Sequence, residues 1–168
     1  MLVKLYDLPD LHEPLCRTKG IGIETRRPNP WEKSSLLKWV ESTFSSIWAL
    51  ECETAFAANP PSCYIAVEKE TLIGFACYDC TRRNFFGPTG VAENARGKGV
   101  GLTLLLSCLH AMRADGYAYT IIGGVGPAIA LAALASFDPP VFAAAITSGD
   151  ARSLQKIKGV GPKLSERM

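Results

Sequence analysis

The sequence predicts a mixed α/β (α+β) fold, a mostly antiparallel sheet flanked by helices and followed by a small helical hairpin segment. Three observations carry that reading. Residues 62–67 and 71–78 are rich in β-branched and aromatic side chains and are joined by Glu68-Lys69-Glu70, the signature of a hairpin. The apolar run 85–91 passes through Gly97, Gly99 and Gly101 into a helical run and then a further strand, so a parallel crossover enters the sheet. The tetrapeptide Gly-Val-Gly-Pro occurs at 124–127 and again at 159–162, 35 residues on, with helical segments at 139–148 and 150–157 between.

Taken in order, residues 2–6 read as a short strand, and 7–20 as irregular chain because Pro9 and Pro14 interrupt a stretch with little periodicity. Residues 21–27 alternate as a strand and stop at Pro28 and Pro30. Trp31, Ser35, Leu36, Trp39 and Val40 then recur at helical spacing over 31–41. A second helix over 44–57 gathers Phe44, Ile47, Trp48, Cys52, Ala55 and Phe56 on one side and ends at Asn59-Pro60-Pro61. After the hairpin, 79–84 is a polar turn. Gly87, Pro88 and Gly90 predict a bulged strand over 85–91. A helix over 102–113 and a strand over 117–122 complete the order.

A length of 168 residues with 48% hydrophobic side chains suits one domain, or one domain and a small appendage, and excludes a disordered chain. The overall charge of +2 is uneven. Residues 151–168 hold five basic side chains against Glu166 alone, a net +4 that leaves −2 for the rest. Such a basic tail fits a solvated helix or a polyanion partner. The six cysteines, at 16, 52, 63, 77, 80 and 108, are scattered. Cys77 and Cys80 form the one close pair, with no second pair or histidine near in sequence, so no metal site is expected. Buried free thiols suit a reducing cytoplasm, and the first residues lack a secretion signal, so a cytoplasmic location is expected. Residues 117–137 carry no charge over 21 positions, yet Gly123-Gly124 and Gly126-Pro127 in their middle argue for strand, turn and helix rather than a membrane span.

The stretch 91–101 bears the chemistry. Glycines at 97, 99 and 101 free the backbone so that successive N–H groups converge at a helix start, where the dipole favours phosphate oxygens. The dinucleotide fingerprint fails because Leu102 stands where its third glycine belongs. The P-loop fails because Gly99 follows Gly97-Lys98 where Ser or Thr is required. Arg96 to Gly101 instead reads R-x-x-G-x-G after a strand, which resembles the acetyl-CoA loop of the GNAT family of N-acyltransferases over about residues 21–127. The resemblance implies acetyl-CoA as cosubstrate and an amine acceptor. It implies diphosphate binding by Arg96, Gly97, Lys98, Gly99, Val100, Gly101 and Leu102, pantetheine pairing near Val91, and a wedge between 86–91 and 119–122. The strand over 85–91 contains no acid where the family often has one. Glu51, Glu53, Asp79 and Glu93 are the carboxylates available, and each reads as a surface charge. Residues 128–134 lack the tyrosine that the family places after its fifth strand. No catalytic residue is therefore assigned, and impaired turnover is one expectation. His12 and His110 read as structural or exposed.

The end of the chain resembles something else. Lys158, Gly159, Gly161 and Lys163 stand in a glycine turn between helices, and residues 124–168 resemble the tandem helix-hairpin-helix domain of RuvA Holliday-junction proteins. That resemblance implies phosphate contacts without sequence reading, weak because the last helix is short. It departs from the pattern where 119–122 is strand-like. Two domains are expected, 1–127 and 128–168, as a fusion or engineered chimera joined near 124–127. A non-catalytic nucleic-acid-binding or recombinant scaffold is the alternative function. Because the family's last strands have no candidate sequence, a bare sheet edge and pairing with a second copy are also expected.

Overall fold

The computed structural model describes residues 1–123. The elements are β1 (Leu2–Lys4), α1 (His12–Gly20), β2 (Ile23–Arg26), α2 (Lys33–Thr43), α3 (Ser46–Thr54), β3 (Cys63–Glu68), β4 (Thr71–Tyr78), β5 (Phe85–Val91), α4 (Val100–Ala114) and β6 (Tyr119–Ile122). Six strands make one mixed sheet in the order β1-β6-β5-β4-β3-β2, antiparallel throughout except for the β5–β6 pair. The fold class expected from the sequence is therefore found. The expected hairpin segment at 128–168 and both Gly-Val-Gly-Pro turns lie outside the described residues.

The β3–β4 hairpin sets the faces of the sheet. Lys69 and Glu70 turn the chain with positive φ, and pairing starts at Glu68↔Thr71 and Val67↔Leu72. Ile73 is then an extra residue, so Ala66 pairs with Gly74 and Cys63 with Cys77. Beyond this bulge the side chains alternate. Cys63, Ile65, Phe75 and Cys77 face α2 and α3, while Ala66, Ala76 and Tyr78 face α4. The α2–α3 side holds an aromatic cluster of Trp39, Phe44, Trp48 and Phe75 with ring centroids 5.4–6.4 Å apart. Ser45 caps α3 by accepting from the Trp48 amide at 3.2 Å.

Two expectations are corrected. Residues 12–20 form a helix, because Pro14 falls in its first turn, where an amide hydrogen would have no acceptor in any case. That helix, α1, covers the side of α4 turned away from the sheet. The Thr103 hydroxyl donates to the Pro14 carbonyl at 3.4 Å, and the His110 ring meets the Pro9 carbonyl at 2.9 Å. Eight residues of α4 are buried, more than a one-sided amphipathic helix would bury. The edge beside β6, expected bare, is taken by β1 through Leu2↔Ile121, Val3↔Thr120 and Lys4↔Tyr119. Among the described residues β1, rather than β6, is the edge strand on that side.

Candidate functional site

The glycine loop begins as a single 3-10 turn, Glu93–Ala95, closed by Ala95 N–H donating to Ala92 O at 3.0 Å and Arg96 N–H to Glu93 O at 3.2 Å. Gly97 and Gly99 then take φ of +78° and +84°, and Gly99 is the left-handed residue that starts α4. The first amide of the helix with an acceptor is that of Thr103, which donates to Gly99 O at 3.1 Å. Among the described residues nothing accepts from the amides of Gly97, Lys98, Gly99, Val100, Gly101 or Leu102. A helix start by itself leaves four such groups, and the left-handed loop adds to them. They border a cleft of about 330 Å³ lined by Val91, Ala95, Arg96, Gly97, Gly99, Val100 and Gly101. A row of unpaired amides at the positive end of a 15-residue helix is a receptor for anionic oxygen.

Six of the eight residues expected to hold a cofactor line this cleft. Lys98 does not, since its ammonium donates to both carboxylate oxygens of Glu68 at 3.1 and 3.2 Å, leaving its backbone amide as its contribution. Leu102 starts the helix half-exposed and also stands off the lining. Arg96 is exposed, 3.8 Å from Glu93. Arg17 joins from α1: its guanidinium lies 3.6 Å from where a Cβ on Gly99 would sit. Sequence reasoning missed it because Pro14 hid the helix that carries it.

The cleft continues along β5. This strand pairs with β6 only at Phe85↔Ile121 and Phe86↔Ile122, whereas with β4 it pairs as far as Gly74↔Val91. The described part of β6 ends at Ile122, opposite Phe86, so the expected wedge between 86–91 and 119–122 lies partly outside the described residues. The Phe44 ring lies over Gly90, where an added Cβ would approach its atoms to 2.5 Å. Only glycine fits there.

Among the described residues no carboxylate lines the cleft. Glu51 accepts from the Thr81 hydroxyl at 2.9 Å, and Glu53 pairs with Lys33 at 3.0 Å. Asp79 accepts from the Asn84 amide at 2.6 Å and the Tyr117 hydroxyl at 2.9 Å, and Glu93 is 91% exposed. His12 lies beside Cys16 on α1, with Sγ to Nε2 at 3.5 Å. At the other end of β4 a second cleft of about 430 Å³ is bordered by Arg27, Tyr78, Asp79 and Asp115. There Arg27 donates to the Tyr78 hydroxyl at 3.0 Å, which donates to Asp115 Oδ2 at 3.0 Å. Burial pushes the Tyr78 phenol up to about 12, against the opposing pull of Arg27. No helix of the described residues is long and apolar enough to cross a membrane. Lys158, Gly159, Gly161 and Lys163 lie outside the described residues.

A mixed sheet, a parallel crossover and an amide-lined loop at the start of the crossover helix together fit a protein of the acyltransferase class. The model of the Acetyltransferase (GNAT) family matches residues 33–137, and the chain belongs to that family. Residues 120–168 match a second model, the SAM-like helix-hairpin-helix tandem. Among solved structures, the chain is similar to the GCN5-related glucosamine N-acetyltransferase region of a fungal multi-domain GH3 β-N-acetylglucosaminidase. That likeness has a TM-score of 0.55 and 16% identity, over 71% of this chain and 17% of that one. It is also similar to a GCN5-related N-acetyltransferase from Sphaerobacter thermophilus, with a TM-score of 0.50 and 20% identity over 60% of this chain and 35% of that one. These two likenesses concern the fold alone. The Holliday junction branch migration complex subunit RuvA of Wolinella succinogenes is 47% identical over 47 residues, 28% of this chain. The chain spans about a quarter of the length of the curated relatives it matches, 25% in this case.

Proposed function

We propose that the chain transfers an acetyl group from acetyl-CoA to an amine. The observation that carries this is the run of six backbone amides at 97–102 with no acceptor among the described residues, at the start of α4. Amides so placed suit a diphosphate, and Arg17 and Arg96 add charge beside them. Val91, which borders the cleft at the end of β5, offers backbone groups that suit the amides of pantetheine. The chemistry is attack of a neutral amine on the thioester carbonyl, collapse of the tetrahedral intermediate, departure of the CoA thiolate, and loss of one proton from nitrogen. Orientation of two bound reactants supplies much of the rate. Among the described residues no carboxylate lines the cleft, which leaves water or the substrate amine to take the proton there.

The test is calorimetry with acetyl-CoA and with acetyl-pantetheine, followed by mass-spectrometric detection of acetylated product over a panel of primary amines. Acetyl-CoA binding at least about 100-fold tighter than the diphosphate-free analogue is expected, equal to about 2.7 kcal/mol. Equal affinity for the two contradicts the reading.

A second activity is favoured by a separate observation. The helix-hairpin-helix match at 120–168 and the 47% identity with a RuvA subunit support reading 128–168 as a module that contacts DNA phosphates through Lys158, Gly159, Gly161 and Lys163. The high identity there, against 16–20% to the acetyltransferase structures, supports a chain joined from two sources near residues 124–127. Weak binding of junction DNA that fades with salt is expected, and salt-independent binding contradicts it.

A further inference from the structure

Three thiols far apart in sequence meet inside the α2–α3 face. The Sγ atoms of Cys52 on α3, Cys63 on β3 and Cys77 on β4 all lie within 4.8 Å of one another, and Cys52 and Cys77 are 3.6 Å apart. All three are fully buried, among Leu36, Val40, Ile65 and Phe75. The bulge at Ile73 makes the meeting possible. Without it the hairpin register would set Cys63 opposite Ala76, and the Cys77 thiol would fall on the other face of the sheet. A fourth thiol is near, because Cys80 follows Cys77 at the spacing of a Cys-x-x-Cys chelate; its thiol donates to the Tyr78 carbonyl at 3.5 Å and must turn inward to join the other three. Cys80 is only partly buried, which gives the cluster an outlet to solvent.

We propose that Cys52, Cys63, Cys77 and Cys80 bind a zinc ion. The spacing of the three inner thiols supports it, since a tetrahedral site with Zn–S near 2.3 Å has sulfur–sulfur edges of about 3.8 Å. The chemistry of the surroundings supports it too. The wall around the three inner sulfurs is apolar, so the donor set is soft and oxygen-seeking cations such as magnesium or calcium find no ligands. The zinc ion would tie α3 to the β3–β4 hairpin, and it is independent of the acyl-transfer site.

The experiment is anaerobic titration of the reduced full-length chain with Co²⁺, then with Zn²⁺. One Co²⁺ per chain is expected, with a sulfur-to-cobalt charge-transfer band, intense tetrahedral visible bands, and loss of both when Zn²⁺ is added. Cys77→Ser abolishes the bands. Should that variant fail to fold by circular dichroism, Cys80→Ser decides the matter, weakening uptake by about tenfold or more. Cys16→Ser, at an exposed position, leaves the bands unchanged. No charge-transfer band in the wild type, bands that survive both Cys77→Ser and Cys80→Ser, or a Cys52–Cys77 disulfide as the sole product of adding metal would each overturn the proposal.

Discussion

The two ends of β5 are built on opposite principles. At Phe85 and Phe86 the strand is paired on both flanks, and most polar groups nearby meet protein partners: Arg27 with Tyr78, Tyr78 with Asp115, Asp79 with Tyr117 and with the Asn84 amide, although the buried Asn84 Oδ1 has none. Among the described residues, Gly90 and Val91 pair with β4 alone, and six amides of the chain beyond have no protein acceptor. Gly97, Gly101 and Leu102 are exposed, so those amides stand open to water or to a ligand oxygen. The proposed function assigns the closed end to stability and the open end to a ligand.

The sharpest way to break this contrast is Gly99→Asp. It forces a side chain into a positive-φ position and sets a carboxylate against the amides, so acetyl-CoA affinity measured by calorimetry falls by about 100-fold or more. Gly90→Ala tests the support beneath the open end. Its methyl group collides with the Phe44 ring, and chemical denaturation should show a loss of about 1–3 kcal/mol. At the closed end Tyr78→Phe leaves Arg27 and Asp115 without the hydroxyl between them, at a cost of about 1–3 kcal/mol with acetyl-CoA affinity unchanged. The same residue gives a pH signature. The folded Tyr78 phenol titrates at about 12 rather than its ordinary 10, so its proton is held more tightly in the folded chain. That stabilisation is complete below pH 10 and is lost as pH rises from 10 through 12, a decline that melting curves should show more steeply in the wild type than in Tyr78→Phe, where Tyr64 and Tyr117, also raised by burial, still contribute. The smallest effect is at Arg17, an exposed charge beside Gly99. Arg17→Ala should weaken acetyl-CoA by about two- to fivefold at low salt, with the difference shrinking as salt rises.

Local signals were readable and long-range ones were not. Alternation over 62–78, the glycines of 97–101 and the strand at 119–122 predicted the hairpin, the crossover and the mixed sheet, because each depends on neighbours in sequence. Val91, Arg96, Gly97, Gly99, Val100 and Gly101 were found as cleft residues for the same reason. What escaped was set by pairing at a distance. Pro14 was read as a breaker, although at the start of α1 it is harmless, and Arg17 was lost with the helix. The cover that β1 gives to β6 joins residues 2–4 to 119–121, which no local pattern announces. The thiol cluster was hidden in the same way, since one extra residue at Ile73 decides that Cys63 and Cys77 share a face.

The central claim is that the unpaired amides of 97–102 receive a diphosphate. Amide proton and nitrogen shifts recorded during titration with acetyl-CoA, and separately with acetyl-pantetheine, address it most directly. The account predicts that the resonances of Gly97, Gly99, Val100 and Gly101 move downfield in proton and saturate with acetyl-CoA, and stay in place with the analogue that lacks the diphosphate. Resonances that do not move with acetyl-CoA, or that move equally with both compounds, would contradict it.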